Sequence, residues 1–362
     1  MGTKDNSPIV LFSPLDWGLG HTTRSIPILE ALILLKCHVF LACEEGSACE
    51  KILKERFPQL HFLPLKGYQI SYAKNTQWFA IKLFLQIPKI IAAIQHEKKM
   101  VKRWTEQYNF DTIISDNRYG FLHKKVHSVF ITHQLQIAAP FSFLEKLIQK
   151  INYRYINSFS ECWVPDFAGA NNIAGQLSHP QKLPATPVEY IGPLCRLKKI
   201  TKERKYDFLI LLSGPEPQRT VLENKFIAIK NKFSEKIMLV RGLPGGTPGL
   251  HCDANFTIKN YCDAEELSVL MAQSEFVICR SGYSTIMEIL YLQKKSILIP
   301  TPGQTEQEYL AKKLMDQSWA YSFSQSSADY YNQIQTAKGF TFYLPQIEES
   351  SLKNFLEENI LD

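Results

Sequence analysis

A short apolar run, a glycine-rich turn and a helical stretch open the chain, and this three-part unit constrains the fold more than any other feature. Pro8-Ile-Val-Leu-Phe-Ser13 has the uninterrupted apolar character of a strand buried on both faces. Asp16-Trp-Gly-Leu-Gly-His21 follows as a turn, Thr22 to Leu35 carries apolar residues at helical spacing, and Cys37 to Ala42 supplies a second strand. Two such strands joined by a helix make a βαβ unit, whose parallel sheet must be covered on both faces. Further strands are predicted at Leu60–Leu63, Thr112–Ser115, Ser128–Thr132 and Glu161–Val164, with helical patterns between several of them.

The series then pauses and restarts. Pro180, Pro184, Pro187 and Pro193 are followed by a basic, polar run from Arg196 to Lys205, the composition of a linker. Beyond it strands are predicted at Tyr206–Leu212, Ile237–Arg241, Phe276–Cys279 and Ser296–Ile299. Helices are expected at Arg219–Lys232, Ala264–Gln273, Ser284–Leu292 and Thr305–Met315, with a helical tail over Gln346–Ile360. A chain of 362 residues is too long for one core, since domains hold roughly 100–200 residues. The expected fold is α/β: two Rossmann-like domains whose parallel sheets face a central cleft. Residues 1–195 form the N-terminal domain, 196–345 the C-terminal domain, and 346–362 a helix packing back on the N-terminal domain.

Charge is divided unevenly between the halves. Residues 1–160 hold 20 basic and 12 acidic side chains, while the remaining 202 hold 21 and 23, so the net charge of +6 arises in the first half. Trp78 to Ile94 is strongly apolar, is interrupted at Pro88, and leads into Lys98, Lys99, Lys102 and Arg103. Phe141 to Phe159 mixes aromatic residues with Lys146, Lys150 and Arg154. Apolar surface rimmed by cations suits peripheral binding to anionic lipid; the plainer reading is a pair of packed helices with solvated lysines. No apolar run reaches the ~18 residues of a transmembrane helix. The eight cysteines contain no C-x-x-C pair and no zinc-ligand spacing, and Met1–Pro8 lacks a secretory signal, so reduced thiols in the cytoplasm are expected. No metal site and no cofactor are expected. Nucleic-acid binding ranks last, because the basic residues accompany apolar runs.

Three segments carry candidate chemistry. In Gly18-Leu-Gly20-His21-Thr22 the glycines allow close backbone approach to a ligand, and the following helix N-terminus attracts anions. His21 lies at the carboxyl end of the first strand, where α/β sheets bind ligands, and is the candidate general base. Asp116, after a strand at the same edge, is the candidate to orient it, and His133 is a second candidate base. In Cys279-Arg280-Ser281-Gly282-Tyr283-Ser284-Thr285 a strand ends, turns and starts a helix, a natural seat for a diphosphate. Glu288, one turn on, suits ribose hydroxyls, and Arg280 adds positive charge or serves a structural pair. In Ile299-Pro-Thr-Pro-Gly-Gln-Thr-Glu306-Gln307-Glu308 amide and carboxylate groups at a strand terminus suit sugar hydroxyls. Ordinary helix capping is the alternative for the first two, and a solvated helix start for the third.

The run Cys279-Arg-Ser-Gly-x-x-Thr-x-x-Glu288, followed after a strand by Pro300 and Glu306-Gln307, resembles the donor-site signature of family 28 glycosyltransferases, and within them the peptidoglycan N-acetylglucosaminyltransferase branch. Gly18-Leu-Gly20-His21 resembles that family's N-terminal glycine-rich loop, here with Asp16-Trp17 where the family has small glycines. The resemblance implies a GT-B fold, with a nucleotide sugar, most readily UDP-linked, held mainly by the C-terminal domain. It assigns Glu288 to ribose, Ser281 to Thr285 to the diphosphate, and Gln307 with Glu308 to the donor sugar. Tyr261-Cys262 stand where the family contacts the base, and Ser213-Gly214 where it has a phosphate loop, although Pro215-Glu-Pro217 departs from the usual small residues. It further implies inverting, metal-independent transfer to an acceptor hydroxyl. The acceptor is not named by the motifs; the cationic first half points to a diphosphate-linked or membrane-bound, lipid-linked acceptor at the inner face of the membrane. A UDP-sugar 2-epimerase of the same architecture and a non-catalytic nucleotide-sugar-binding protein are the alternatives.

Overall fold

A computed structural model describes residues 7–16, 18–68, 86–137, 142–243, 251–253, 255–347 and 352–361. The chain divides into two compact units, one running to Leu194 and taking in the C-terminal residues, the other from Cys195 to Glu348.

The first unit contains β1 (Ile9–Pro14), α1 (Leu19–Leu34), β2 (His38–Cys43), α2 (Ala48–Arg56), β3 (His61–Pro64), α3 (Ile87–Tyr108), β4 (Thr112–Asp116), β5 (His127–Ile131), α4 (Ser142–Ile156), β6 (Glu161–Val164) and β7 (Val188–Tyr190). Its seven strands lie in the order β3-β2-β1-β4-β5-β6-β7. Every pairing is parallel, with Ser13 opposite Ser115 and Pro14 opposite Asp116 at the carboxyl ends of β1 and β4. Leu11, Trp104, Phe110, Ile113 and Phe121 anchor a buried cluster on one side of this sheet.

α1 begins at Leu19, three residues before the apolar spacing suggests. Gly18 is its N-cap at φ 86°, a left-handed angle that costs a side-chain-bearing residue about 1 kcal/mol or more. The sharp turn lets the helix start at once, so His21 sits in its first turn. At the other end Lys36 adopts φ 60°, and the amides of Cys37 and Lys36 donate to the carbonyls of Leu32 and Ile33, closing the helix as a Schellman motif. Pro88 does not break α3 but stands at its start, where the missing N–H costs nothing. The proline-rich stretch expected as linker holds β7 directly after Pro187; an edge strand tolerates a neighbouring proline because one of its sides needs no ladder.

The second unit contains β8 (Tyr206–Leu211), α5 (Gln218–Ile229), β9 (Ile237–Val240), β10 (His251–Cys252), β11 (Phe256–Lys259), α6 (Ala264–Ala272), β12 (Ser274–Cys279), α7 (Tyr283–Tyr291), β13 (Lys295–Leu298), α8 (Thr305–Asp316), β14 (Tyr321–Ser322) and α9 (Tyr330–Lys338). Strand order is β10-β11-β9-β8-β12-β13-β14, parallel except for the short edge strand β10. Phe208, Ile210, Leu239, Phe276, Ile278 and Ile297 build its core. The expected helix over residues 219–232 ends earlier, and Lys230–Lys232 tighten into a 3₁₀ turn. The C-terminal helix α10 (Leu352–Ile360) contacts α1, and Phe355 meets Trp163 edge-on with centroids 5.1 Å apart.

Close packing where β4 leaves the sheet can be tested at a glycine. A Cβ at Gly120 would stand 2.2 Å from the Ile94 carbonyl oxygen, whereas one at Gly169 would meet nothing within 4 Å. Urea unfolding of Gly120→Ala is expected to show a loss of about 1–3 kcal/mol or more, and Gly169→Ala to stay within about 0.5 kcal/mol of the parent.

Candidate functional site

In an open parallel sheet the crevice for a ligand lies at the carboxyl edge where strand order reverses. That point is between β1 and β4 in the first unit and between β8 and β12 in the second.

At the first reversal the structure brings His21 and Asp116 together. Asp116 closes β4 and is buried, and His21 Nδ1 lies 3.2 Å from each of its carboxylate oxygens. Arg24, one turn after His21 on α1, shares the carboxylate: its Nε donates to Asp116 Oδ2 at 2.9 Å and its Nη2 to Oδ1. Its Nη1 lies 3.1 Å from His133 Nδ1, just beyond β5. Burial alone would raise the Asp116 carboxyl, but Arg24 and His21 outweigh it and hold the group well below the usual carboxylate range. Burial, and after it the Arg24 guanidinium, hold the His21 imidazole below its ordinary value against the opposing pull of Asp116. An ionised carboxylate only accepts, so His21 carries its proton on Nδ1 and presents a lone pair at Nε2. His21 keeps 16% of its side chain exposed, enough to reach a substrate. Gly18 precedes it as the N-cap, Gly20 and Thr22 flank it in the first turn of α1, and the Thr22 hydroxyl is buried beside the Cys49 thiol.

Beneath this edge lies a second buried network that sequence reasoning missed. Arg118 is fully buried; its Nε donates to the Pro14 carbonyl at 2.8 Å, its Nη1 to Glu97 at 3.0 Å, and its Nη2 lies 3.3 Å from Asp16. Glu97 also accepts from Tyr68 and from the Gly120 amide. Arg118 thus ties the chain after β1 to the chain after β4. Glu97 lies mid-helix in a lysine-rich run, and only its place on the apolar face of α3 hinted at burial.

At the second reversal, Ser213 and Gly214 form the exposed turn after β8, and Arg280, Ser281 and Gly282 the turn after β12. Gly282 is the N-cap of α7 and offers no side chain to it; no acidic residue occupies the first turn, and a Cβ at Gly282 would meet no atom within 4 Å. Tyr283 is buried, while Ser284 and Thr285 are partly exposed. Ser281 is buried and its hydroxyl donates to the Gln307 carbonyl at 2.7 Å, linking this turn to α8.

Arg280 is held by the backbone around it. Its guanidinium is buried and donates to the carbonyls of Ile299, Pro300 and Gln218, and burial lowers it to about 10. Gln307 accepts from the Thr301 amide at 2.9 Å and donates to Gln304, while Glu308 accepts from the Gly303 amide. Glu306 stands in the first turn of α8. Tyr261 is half-buried and Cys262 buried, just before the Asp263 cap of α6. Glu288 is buried, with Arg196 Nε donating to it at 2.9 Å; burial pushes its carboxyl up and Arg196 opposes the rise. Cys195, Cys262 and Cys279 are free thiols, each pushed up to about 12 by burial.

Comparison with known proteins fits this geometry. Residues 232–346 match the glycosyltransferase family 28 C-terminal domain. Solved structures share the fold over nearly the whole chain. Acinetobacter baumannii MurG aligns at TM-score 0.56 and 14% identity, covering 92% of this chain and 90% of its own. The spinosyn rhamnosyltransferase SpnG, solved with thymidine diphosphate, aligns at 0.61 and 13%, covering 97% and 96%. Arabidopsis thaliana UGT89C1, solved with quercetin, aligns at 0.63 and 11%, covering 98% and 94%. No curated protein sequence matches the chain. The fold is that of GT-B glycosyltransferases, and residues 232–346 resemble the family 28 C-terminal domain.

The Arg196–Glu288 pair generates a pH-dependent test. A carboxyl raised on folding stabilises the protein most below its unfolded value, and that contribution is lost as pH rises through the folded value. Arg196→Gln leaves the buried carboxylate unpaired, so it is expected to cost about 1–3 kcal/mol near pH 8. The deficit should narrow toward pH 5 as Glu288 takes up a proton, read by urea unfolding across that range.

Proposed function

We propose that this chain transfers a sugar from a UDP-linked donor to a hydroxyl of a lipid-linked acceptor, by a single displacement that inverts the anomeric centre. The observation that carries the chemistry is the His21 imidazole, held by Asp116 through Nδ1 and uncharged, with its Nε2 lone pair as the proton acceptor. In the proposed step Nε2 takes the acceptor's hydroxyl proton, the oxygen bonds to the anomeric carbon, and the bond from that carbon to the phosphate oxygen breaks. The electron pair leaves with the nucleoside diphosphate.

The charge that develops on the leaving group falls to the N-terminus of α7, whose amides and dipole attract an anion without an acidic competitor in the first turn. Glu288 would accept from ribose hydroxyls beside its Arg196 pair, Gln307 and Glu308 would address the sugar, and Tyr261-Cys262 the base. No cofactor enters this reading; the nucleotide sugar is a co-substrate. The α1 N-terminus, with Gly18 as its cap, Gly20 beside it and no acidic residue in the first turn, suits a phosphate of the acceptor.

A lipid-linked acceptor is supported by the surface of α3 and α4. Ile87, Ile91, Leu147 and Ile151 are 41%, 43%, 54% and 49% exposed, in pairs one helical turn apart. Exposed Lys89, Lys146 and Lys150 lie among them. Ile90 of α3 and Tyr155 of α4 join one buried cluster, which makes the two helices neighbours. The apolar segment from Trp78 to Leu85 lies outside the described residues. No helix among the described residues is long and apolar enough to cross a membrane, so contact would be peripheral, from the cytoplasmic side.

His21→Ala is expected to lower kcat by about 10²–10⁴-fold with little change in donor KM; near-full turnover at saturating substrates would remove the base assignment. In a thermal-shift panel of UDP, GDP, TDP and their sugars, the UDP ligands should stabilise most, by roughly 2.7 kcal/mol at 100 times Kd. Incubation with UDP-N-acetylglucosamine alone should yield no 2-epimer. Flotation with anionic vesicles should recover the parent protein, and Ile91→Asp with Ile151→Asp should abolish recovery.

A further inference from the structure

The Arg24 guanidinium touches three groups at the sheet edge, and its chemistry dictates the state of each. Arg24 is buried, forks both oxygens of Asp116, and lies 3.1 Å from His133 Nδ1. A guanidinium has donors only, so His133 Nδ1 accepts, and the His133 proton sits on Nε2. Asp116, ionised, receives the proton of His21 on Nδ1. The two histidines are therefore opposite tautomers: His21 presents a lone pair at Nε2 and His133 a proton. His133, the second candidate base, lacks the lone pair the role requires.

We infer that Arg24 is a positioning residue that fixes the tautomers of His21 and His133 and lets Asp116 orient His21 without charging it. The inference rests on His21 being the base. A carboxylate beside an imidazole ordinarily favours the imidazolium, which cannot accept a proton. Here the carboxylate is already paired with a cation that lies near the imidazole as well. The charged and titratable groups facing His21 are Arg24 from its own helix, Asp116 from the end of β4 and His133 from beyond β5. Arg24 and His133 disfavour the imidazolium, and only Asp116 favours it. Orientation and basicity are thereby separated: Asp116 aims the ring, and Arg24 adds to burial in keeping it uncharged.

The test follows the histidine ring nitrogens by ¹⁵N NMR in the full chain, with His21 and His133 assigned from His21→Ala and His133→Ala. In the parent protein His21 should titrate below its ordinary value and His133 should hold a single Nε2–H tautomer. In Arg24→Gln the His21 midpoint should rise by about one pH unit or more, and the acidic limb of kcat/KM should move up with it. Asp116→Asn should move the midpoint down. An Arg24 that served folding alone would lower stability and leave the midpoint in place, so a folded Arg24→Gln within about 0.3 unit of the parent overturns the inference.

If the Gln variant does not fold, Arg24→Lys decides. Its single ammonium can neutralise Asp116 but has no fork to reach His133 as well, so the His21 midpoint should stay low while His133 relaxes to mixed tautomers. A fixed Nε2–H His133 in that variant overturns the inference. The two readings fail separately: an active His21→Ala removes the base and leaves a shifted midpoint standing, whereas an unmoved midpoint beside an inactive His21→Ala removes only the role of Arg24.

Discussion

In a parallel sheet every strand is followed by a crossover that departs from the same edge, and the rest of this structure depends on that restriction. Two strands leaving the centre of the sheet in opposite directions part their connections and open a crevice that nothing in the backbone fills. Each unit meets the restriction once, after β1 and β4 in the first and after β8 and β12 in the second. The chain fills these places with short turns and helix starts, and the side chains with chemistry collect there because those elements begin there. His21 and Asp116 are 95 residues apart in sequence yet share a hydrogen bond, since β1 and β4 are neighbours with their carboxyl ends in register.

The two edges handle charge by opposite means. In the first unit buried carboxylates are matched by buried arginines: Asp116 by Arg24, and Glu97 and Asp16 by Arg118. Removing either arginine would strand a buried charge, which costs several kcal/mol, so these pairs specify one arrangement of the loops above them. In the second unit the buried Arg280 is bonded by three backbone carbonyls and not by a carboxylate, and α7 starts three residues on with no acidic residue in its first turn. The proposed base is tuned by neighbouring charges, whereas the proposed diphosphate seat relies on helix dipoles that stay neutral when it is empty.

Much of this was legible in the sequence because periodicity and turn chemistry are local. The strands around Pro8–Ser13 and Phe276–Cys279, and the helix starts near His21 and Ser284, follow from apolar runs that end in glycine, and the structure places them within a few residues. β7 was not legible, because a three-residue edge strand after a proline leaves no alternation to read. The roles of Arg24, Arg118 and Arg196 were hidden for a different reason. Each is defined by an acid 21 or more residues away, and nothing local to an arginine tells a solvated cation from one bonded to a buried acid. Arg280 shows the converse: its place in a family-like motif left charge for a ligand and a structural role both open, and the three carbonyls that its donors reach lie 19 or more residues away.

The same distinction sharpens the meaning of the cationic first half. A net surplus over residues 1–160 counts Arg24 and Arg118, yet both are buried and matched, and neither projects a field into solvent. Their three carboxylate partners, Asp116, Glu97 and Asp16, outnumber them, so the surplus lies with the exposed lysines and arginines, among them Lys89, Lys98, Lys99, Lys102 and Arg103 on α3 and Lys146, Lys150 and Arg154 on α4. Those two helices also carry the exposed isoleucines and Leu147. Net charge alone would suit any anion in solution. Cations and apolar side chains on the same helices suit an anionic surface with an apolar layer beneath it, because only such a surface satisfies both kinds of side chain at once.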